Sequence, residues 1–217
     1  MAKVLLINGS PHEKGCTYAA LQEIMHTLEQ EGIETQLLWL GKKPLADCIS
    51  CFTCKRNGGT CVFADDDVNK VIGMASEIDA VIAGSPVYDA GPTARICAFL
   101  DRLFFAMPEN LFAGKLAASV VSCRRGGATA AFDRLNKYWT IHNMHIVGSQ
   151  YWNQVHGLHA EDVAKDEEGL QTMRTLARNM AWLLKSIEAG RAAHVPFPEY
   201  EEHISTNFIT TQHLGIS

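Results

Sequence analysis

Five short apolar runs alternate along the chain with five segments whose apolar residues recur at helical spacing. Val4-Leu5-Leu6-Ile7 and Ala80-Val81-Ile82-Ala83 are continuously apolar, as parallel strands covered on both faces are. Strands are predicted at Lys3–Asn8, Glu34–Leu40, Asp79–Ser85, Lys115–Ser122 and His145–Gly148. Between them, Ala20, Leu21, Ile24, Met25 and Leu28 mark a helix over Thr17–Glu31 that Gly32 ends. Asp65-Asp66-Asp67 precedes an apolar stripe through Val68, Val71, Ile72 and Met74 and suits a helix N-terminus. Further helices are predicted at Thr93–Ala106, Thr129–His142 and Leu170–Glu188. Gly41–Val62, Pro86–Pro92 and Ser149–Gly169 read as loops, and 191–217 as a tail.

Strands alternating with helices argue a parallel sheet with helices on both faces. Right-handed crossovers make the order 2-1-3-4-5 the most economical. This is the flavodoxin-like doubly wound α/β arrangement, and its ligands lie beyond the carboxyl ends of the strands. Three loops meet there: Gly9–Thr17, Pro86–Pro92 and Ser122–Gly127.

The first of these, Asn8-Gly9-Ser10-Pro11-His12-Glu13-Lys14-Gly15-Cys16-Thr17, is a strand-to-helix turn. Such turns collect backbone N–H groups and hydroxyls at the positive end of a helix. It matches neither G-x-G-x-x-G nor G-x-x-x-x-G-K-[ST]. A hydroxyl-bearing loop without a terminal lysine fits a monophosphate such as that of FMN, and the competing reading is an ordinary Gly/Pro connection. In the second loop, Tyr88 followed by Asp89-Ala90-Gly91 suits the edge of a flat ring, or Tyr88 is simply a packing tyrosine. The third, Arg124-Arg125-Gly126-Gly127, again offers free backbone, with Arg124 read as solvated.

Composition narrows the function. The 217 residues are 47% hydrophobic and 20% charged, ordinary for one globular domain. A net charge of -5 gives no general attraction to nucleic acid or an anionic membrane. No apolar run reaches the ~20 residues that span a bilayer. The chain therefore reads as cytoplasmic, where its seven cysteines would be thiols or metal ligands. Cys48, Cys51 and Cys54 are spaced C-x2-C-x2-C, with Cys61 following. That spacing suits a four-thiolate iron–sulfur cluster, with free thiols, zinc or a disulfide as alternatives. Cys97 faces the apolar side of its helix and reads as a core residue. His156 and His159 read as structural or solvent-exposed. No Ser-His-Asp set can be proposed, and no residue is singled out as catalytic.

Taken in this order, Asn8–Thr17, Cys48–Cys61 with Asp65–Asp67, Gly84-Ser-Pro-Val-Tyr88, Phe99-Leu-Asp-Arg102 and Gly126-Gly127 resemble the flavodoxin-like NADPH-dependent FMN reductase superfamily. Within it they are most similar to iron–sulfur flavoproteins. Asn143–Gly148 and Thr206-Asn207-Phe208-Ile209 extend the resemblance. It implies FMN with its phosphate at Ser10, His12, Cys16 and Thr17. It places the isoalloxazine beside Pro86, Val87, Tyr88 and Asp89, with Ser122, Gly126 and Gly127 completing the site. It implies a [4Fe–4S] cluster on Cys48, Cys51, Cys54 and Cys61, and a homodimer or homotetramer. The chain departs from the family pattern at His12, usually arginine, at Cys16, usually asparagine or serine, and at Asp89, usually small or apolar.

The resulting expectation is a flavodoxin-like domain over 1–190, with a cysteine-rich insertion at 41–64. A tail at 191–217 would pack on a neighbouring subunit. Its function would be that of an FMN-dependent oxidoreductase that relays electrons between a donor and an acceptor through a [4Fe–4S] cluster. The alternatives are an NAD(P)H-dependent FMN or quinone reductase without a cluster, and a non-enzymatic flavin-bound carrier.

Overall fold

The structure, a computed structural model, describes residues 1–108, 111–202, 204 and 206. Four strands form the centre of the sheet: β1 (Lys3–Asn8), β2 (Glu34–Trp39), β3 (Ala80–Tyr88) and, after the short β4 (Gly91–Pro92), β5 (Leu116–Cys123). Two short strands, β6 (His145–Ile146) and β7 (Gln154–His156), both pair with β5. The order β2-β1-β3-β5-β6 is the predicted 2-1-3-4-5 once the two-residue β4 is set aside. All pairings are parallel except that of β4, which folds back antiparallel on β3. The sheet thus has seven strands rather than five.

Alternate residues of each central strand serve two cores, which is why the runs are continuously apolar. On one face, Val4, Leu6, Ile82 and Ala118 meet α1 (Cys16–Gln30) and α7 (Glu167–Ala192). On the other, Leu5, Ile7, Val81 and Ala117 meet α3 (Val68–Met74), α4 (Ala94–Ala106) and α5 (Ala128–Ile141). Helix α2 (Thr53–Arg56) lies in the cysteine loop, and α6 (Ala160–Val163) lies between β7 and α7.

Three expectations are corrected. Pro86–Tyr88 belong to β3, because β3 pairs with both β5 and β4 through these positions. Ser149–Gly169 is not structureless: Asn153 accepts a hydrogen bond from Val121, and that anchors β7 beside β5. Cys97 is only partly buried, packed at the border of its core. In the tail, Phe197 lies edge-on to Tyr200 with ring centroids 5.8 Å apart, and its ring lies against Gly114 of the same chain. Asn207, Phe208 and Ile209 lie outside the described residues. No described helix is long and apolar enough to cross a membrane.

Candidate functional site: a hydroxyl-lined turn and a four-thiol pocket

The carboxyl ends of β1, β3 and β5 bring the three loops together. Gly9 donates its N–H to the Gly84 carbonyl at 2.9 Å. A Cβ at Gly9 would stand 2.7 Å from Cβ of Ile96, so α4 sits directly against the first loop. Asn8 organises the turn from inside. Its Oδ1 accepts the Ser10 N–H at 3.0 Å, and its amide donates to the Glu13 carbonyl at 3.1 Å. The Ser10 hydroxyl accepts the His12 N–H, and the Ser10 carbonyl accepts the Trp39 indole N–H at 2.8 Å.

The turn opens α1 at Cys16, where the N-cap position is Gly15 and no side chain caps the helix. Its first-turn N–H groups are therefore left to another acceptor. Thr17 and Ser122 are buried, and their hydroxyls are 2.9 Å apart although 105 residues separate them in sequence. Ser10, also buried, lies in the same turn. Three hydroxyls and a helix N-terminus make a donor set of the kind a phosphate monoester accepts. Cys16 sits half-buried at this helix end; burial pushes its thiol up, aided by the carboxylates of Asp162 and Glu161. His12 is exposed on the rim.

The second loop is a two-residue hairpin between β3 and β4. Asp89 and Ala90 both have positive φ, 49° and 60°, the twist that tight hairpins favour and that normally selects Asn or Gly. Pro86 and Val87 are partly buried, whereas Tyr88 is 50% exposed and does not serve as a core tyrosine. The third loop presses against the second. Gly127 caps α5 at φ 88°, and a Cβ there would come within 2.8 Å of Ala90. Gly126, Arg124 and Arg125 are exposed. The structure thus brings Ser10, Cys16, Thr17 and Ser122 together, and it sets Val87 and Ala90 beside Gly127. His156 and His159 serve structure: the His156 N–H donates to Asp166, and His159 forms a capping box with Asp162.

The second centre lies under the other end of α4. Cys48, Cys51, Cys54 and Cys61 all line one narrow pocket, closed by Ile49, Phe52, Val62, Phe63, Phe105 and Ala106. Ser50 and Phe52, between the first three cysteines, take left-handed backbone (φ 52° and 54°) and turn the chain around it. Helix α2 buries Cys54, whose thiol donates to the Phe105 carbonyl at 3.8 Å. The Thr53 hydroxyl and N–H hold the Cys51 thiol below its ordinary value. Arg102, 1% exposed, reaches the pocket from α4. Local sequence pattern gives Arg102 no role. Its only signal was the Phe99-Leu-Asp-Arg102 motif.

Among the described residues, no group of three or more His, Cys, Asp or Glu side chains is arranged to hold a metal ion. The donor chemistry of the pocket nonetheless fits an iron–sulfur cluster, with four thiols, an apolar wall and a cationic neighbour. A wider cleft elsewhere, between α4, α5 and Tyr200–Glu202, shares Cys48 and Phe105 with this pocket but includes none of the three loops.

The chain resembles known proteins in sequence and in fold. An iron–sulfur flavoprotein of Methanocaldococcus jannaschii is 32% identical over 196 residues, covering 86% of this chain and 99% of the relative. One from Methanosarcina thermophila is 26% identical, covering 87% and 98%. Among solved structures, RosB with bound 8-demethyl-8-formylriboflavin-5'-phosphate superposes with a TM-score of 0.68 at 13% identity, over 97% of this chain and 94% of RosB. A flavodoxin from the domain Archaea superposes with a TM-score of 0.56 at 15% identity, over 85% and 99%. These two likenesses speak for the fold alone. The model of the NADPH-dependent FMN reductase family matches residues 2–158. With that match over most of the chain, and with the hydroxyl-lined turn at the switch point of its sheet, the chain belongs to the NADPH-dependent FMN reductase family and is a flavin-dependent oxidoreductase.

Proposed function

We propose that this protein is an electron-transfer flavoprotein in which FMN at the three loops exchanges electrons with a [4Fe–4S] cluster on Cys48, Cys51, Cys54 and Cys61. The observation that carries this reading is that all four thiols line one pocket beside α4, while the start of the same helix is bonded to the flavin loops. Thr93, the N-cap of α4, donates its hydroxyl to the Gly9 carbonyl at 2.8 Å, and its N–H donates to the Ser85 hydroxyl at 2.9 Å. One rigid helix therefore spans from the first two loops to the cysteine pocket.

Ser10, Thr17 and Ser122 would hold the phosphate, with the first-turn N–H groups of α1 supplying the rest of the donors and Cys16 and His12 lining the turn. Val87, Tyr88, Asp89, Gly126 and Gly127 would form the wall beside the ring, with Pro86 fixing the end of β3. FMN held there would supply chemistry that accepts electrons in pairs or singly, and so could couple a hydride donor such as NAD(P)H to a one-electron centre. The residues of this chain bind and orient the cofactor, and none is required as an acid or base. The carboxylate of Asp89 beside the ring would disfavour negative charge on it.

A second reading, an NAD(P)H-dependent FMN or quinone reductase with free thiols, is favoured by the Cys54 thiol donating to the Phe105 carbonyl. Measuring iron and acid-labile sulfide against flavin after anaerobic purification separates the two. About four irons per flavin are expected in the wild type, falling sharply in Cys54→Ala. Iron-free wild type with full flavin would leave the second reading standing. Steady-state NAD(P)H oxidation then tells a reductase from a carrier without catalytic activity.

A further inference from the structure

The guanidinium of Arg102 is a buried charge with more partners than one ion pair requires. Its Nη1 and Nη2 meet the carboxylate of Asp66. Nη2 also donates to the Phe63 carbonyl at 3.1 Å, and Nη1 reaches the Ala46 carbonyl at 3.4 Å. Nε donates to the Cys61 sulfur at 3.3 Å. Ala46 lies on the incoming arm of the cysteine loop, and Cys61, Phe63 and Asp66 lie on the outgoing arm. A single side chain on α4 therefore fastens both arms to the helix, and the Phe63 ring covers it at 5.0 Å. A lysine has no planar fork and could not serve these directions together.

We infer that Arg102 is the positioning residue of the four-thiol pocket: it clamps both arms of the cysteine loop and donates a hydrogen bond to the Cys61 sulfur. The inference rests on the cluster reading for its electronic consequence but not for its mechanical one. Mechanically, the clamp keeps Cys54 enclosed and Cys61 facing the same pocket. Electronically, an N–H donor and a positive charge at one ligand sulfur stabilise the more negative, reduced form of a bound cluster and so raise its potential. Asp66 keeps the buried guanidinium paired. Removing Arg102 alone would strand that carboxylate, and a simple deletion would confuse misfolding with the loss of the clamp.

The test uses full-length protein in three forms: wild type, Asp66→Asn, and the charge-balanced double variant Arg102→Gln/Asp66→Asn. The first measurement is the rate at which iodoacetamide labels Cys54 in native, chelator-treated, iron-free protein, read by peptide mass spectrometry. The double variant should label at least ten-fold faster than Asp66→Asn, with both keeping a cooperative melt. Equal rates would overturn the clamp. The second measurement is the cluster's midpoint potential in an anaerobic, dye-mediated titration. The double variant should sit at lower potential than Asp66→Asn, or lose iron while keeping flavin, and Asp66→Asn, which keeps the guanidinium and its sulfur hydrogen bond, should not fall below wild type. Equal potentials in all three would overturn the sulfur hydrogen bond. Wild type without iron would remove the cluster reading, and the Cys54 labelling would still decide the clamp.

Discussion

At the scale of single residues, the first loop of the candidate site presents small hydroxyls. Ser10 and Thr17 are buried with their oxygens at the opening of α1, and each hydrogen bond to a charged phosphate is worth roughly 1.5–3 kcal/mol. Ser10→Ala/Thr17→Ala should weaken FMN at least ten-fold in a fluorescence titration, and unchanged affinity would remove the phosphate from this turn. A second residue ties stability to pH. His142 stacks on Phe104 with centroids 4.2 Å apart, and burial, assisted by the nearby Lys55, pulls its pKa below the ordinary histidine value. A depressed histidine pKa means that the unfolded chain binds the proton more readily. Its stabilising contribution is complete above the unfolded value of about 6.5 and fades as pH falls through the lower folded value. Melting temperatures of wild type should drop from pH 7 to pH 5 more steeply than those of His142→Phe, which keeps the stack and cannot titrate. Parallel curves for the two proteins would refute this role.

At the scale of elements, α4 joins the two halves of the site. Its N-cap Thr93 bonds both to Ile96 within the helix and to Gly9 in the first loop. Thr93→Ala should cost about 1 kcal/mol as a lost cap, a melting shift of about 2–4 °C for a chain of this size, and it should also weaken FMN. Thr93→Ser should restore both; if it restores neither, the hydroxyl is not the operative group. The apolar stripe Ile96, Phe99, Leu100 and Leu103 made this helix legible in the sequence, and all four are buried. What the stripe did not reveal is the opposite edge, where Arg95 donates to the Lys42 and Lys43 carbonyls and Arg102 holds the cysteine loop. Arginines on the polar side of a predicted helix look solvated until the loop that covers them is in place. The extension of β3 to Tyr88 escaped for a similar reason. Proline and glycine signal a turn locally, but pairing with β4 and β5 overrides that signal.

At the scale of the whole molecule, the described tail residues carry exposed apolar side chains. Val195, Phe197 and Tyr200 remain 65%, 58% and 45% exposed, even though Phe197 touches Gly114. So much exposed apolar surface on a segment too short for its own core suits a contact with a second subunit. Deleting residues 194–217, beyond the end of α7, should reduce the oligomer size or the melting temperature. If light scattering and melting are both unchanged, the segment has no assembly role.

The sequence by itself determined what depends on neighbours in the chain. Continuous apolar runs such as Val4–Ile7 require burial on both faces, helical stripes supply the covering layers, and the order of strands and helices leaves little choice of topology. The C-x2-C-x2-C spacing likewise placed three thiols close together before any fold was known. Only the tertiary structure decided which distant groups meet. Thr17 finds Ser122, Gly127 finds Ala90, and Arg102 finds Cys61 because the crossovers bring strand ends and helix flanks together. A hydroxyl, a glycine or an arginine carries no local mark of a partner so far along the chain. Local pattern fixes secondary structure through backbone and burial, whereas the identity of a long-range contact is set by where the folded sheet delivers each loop.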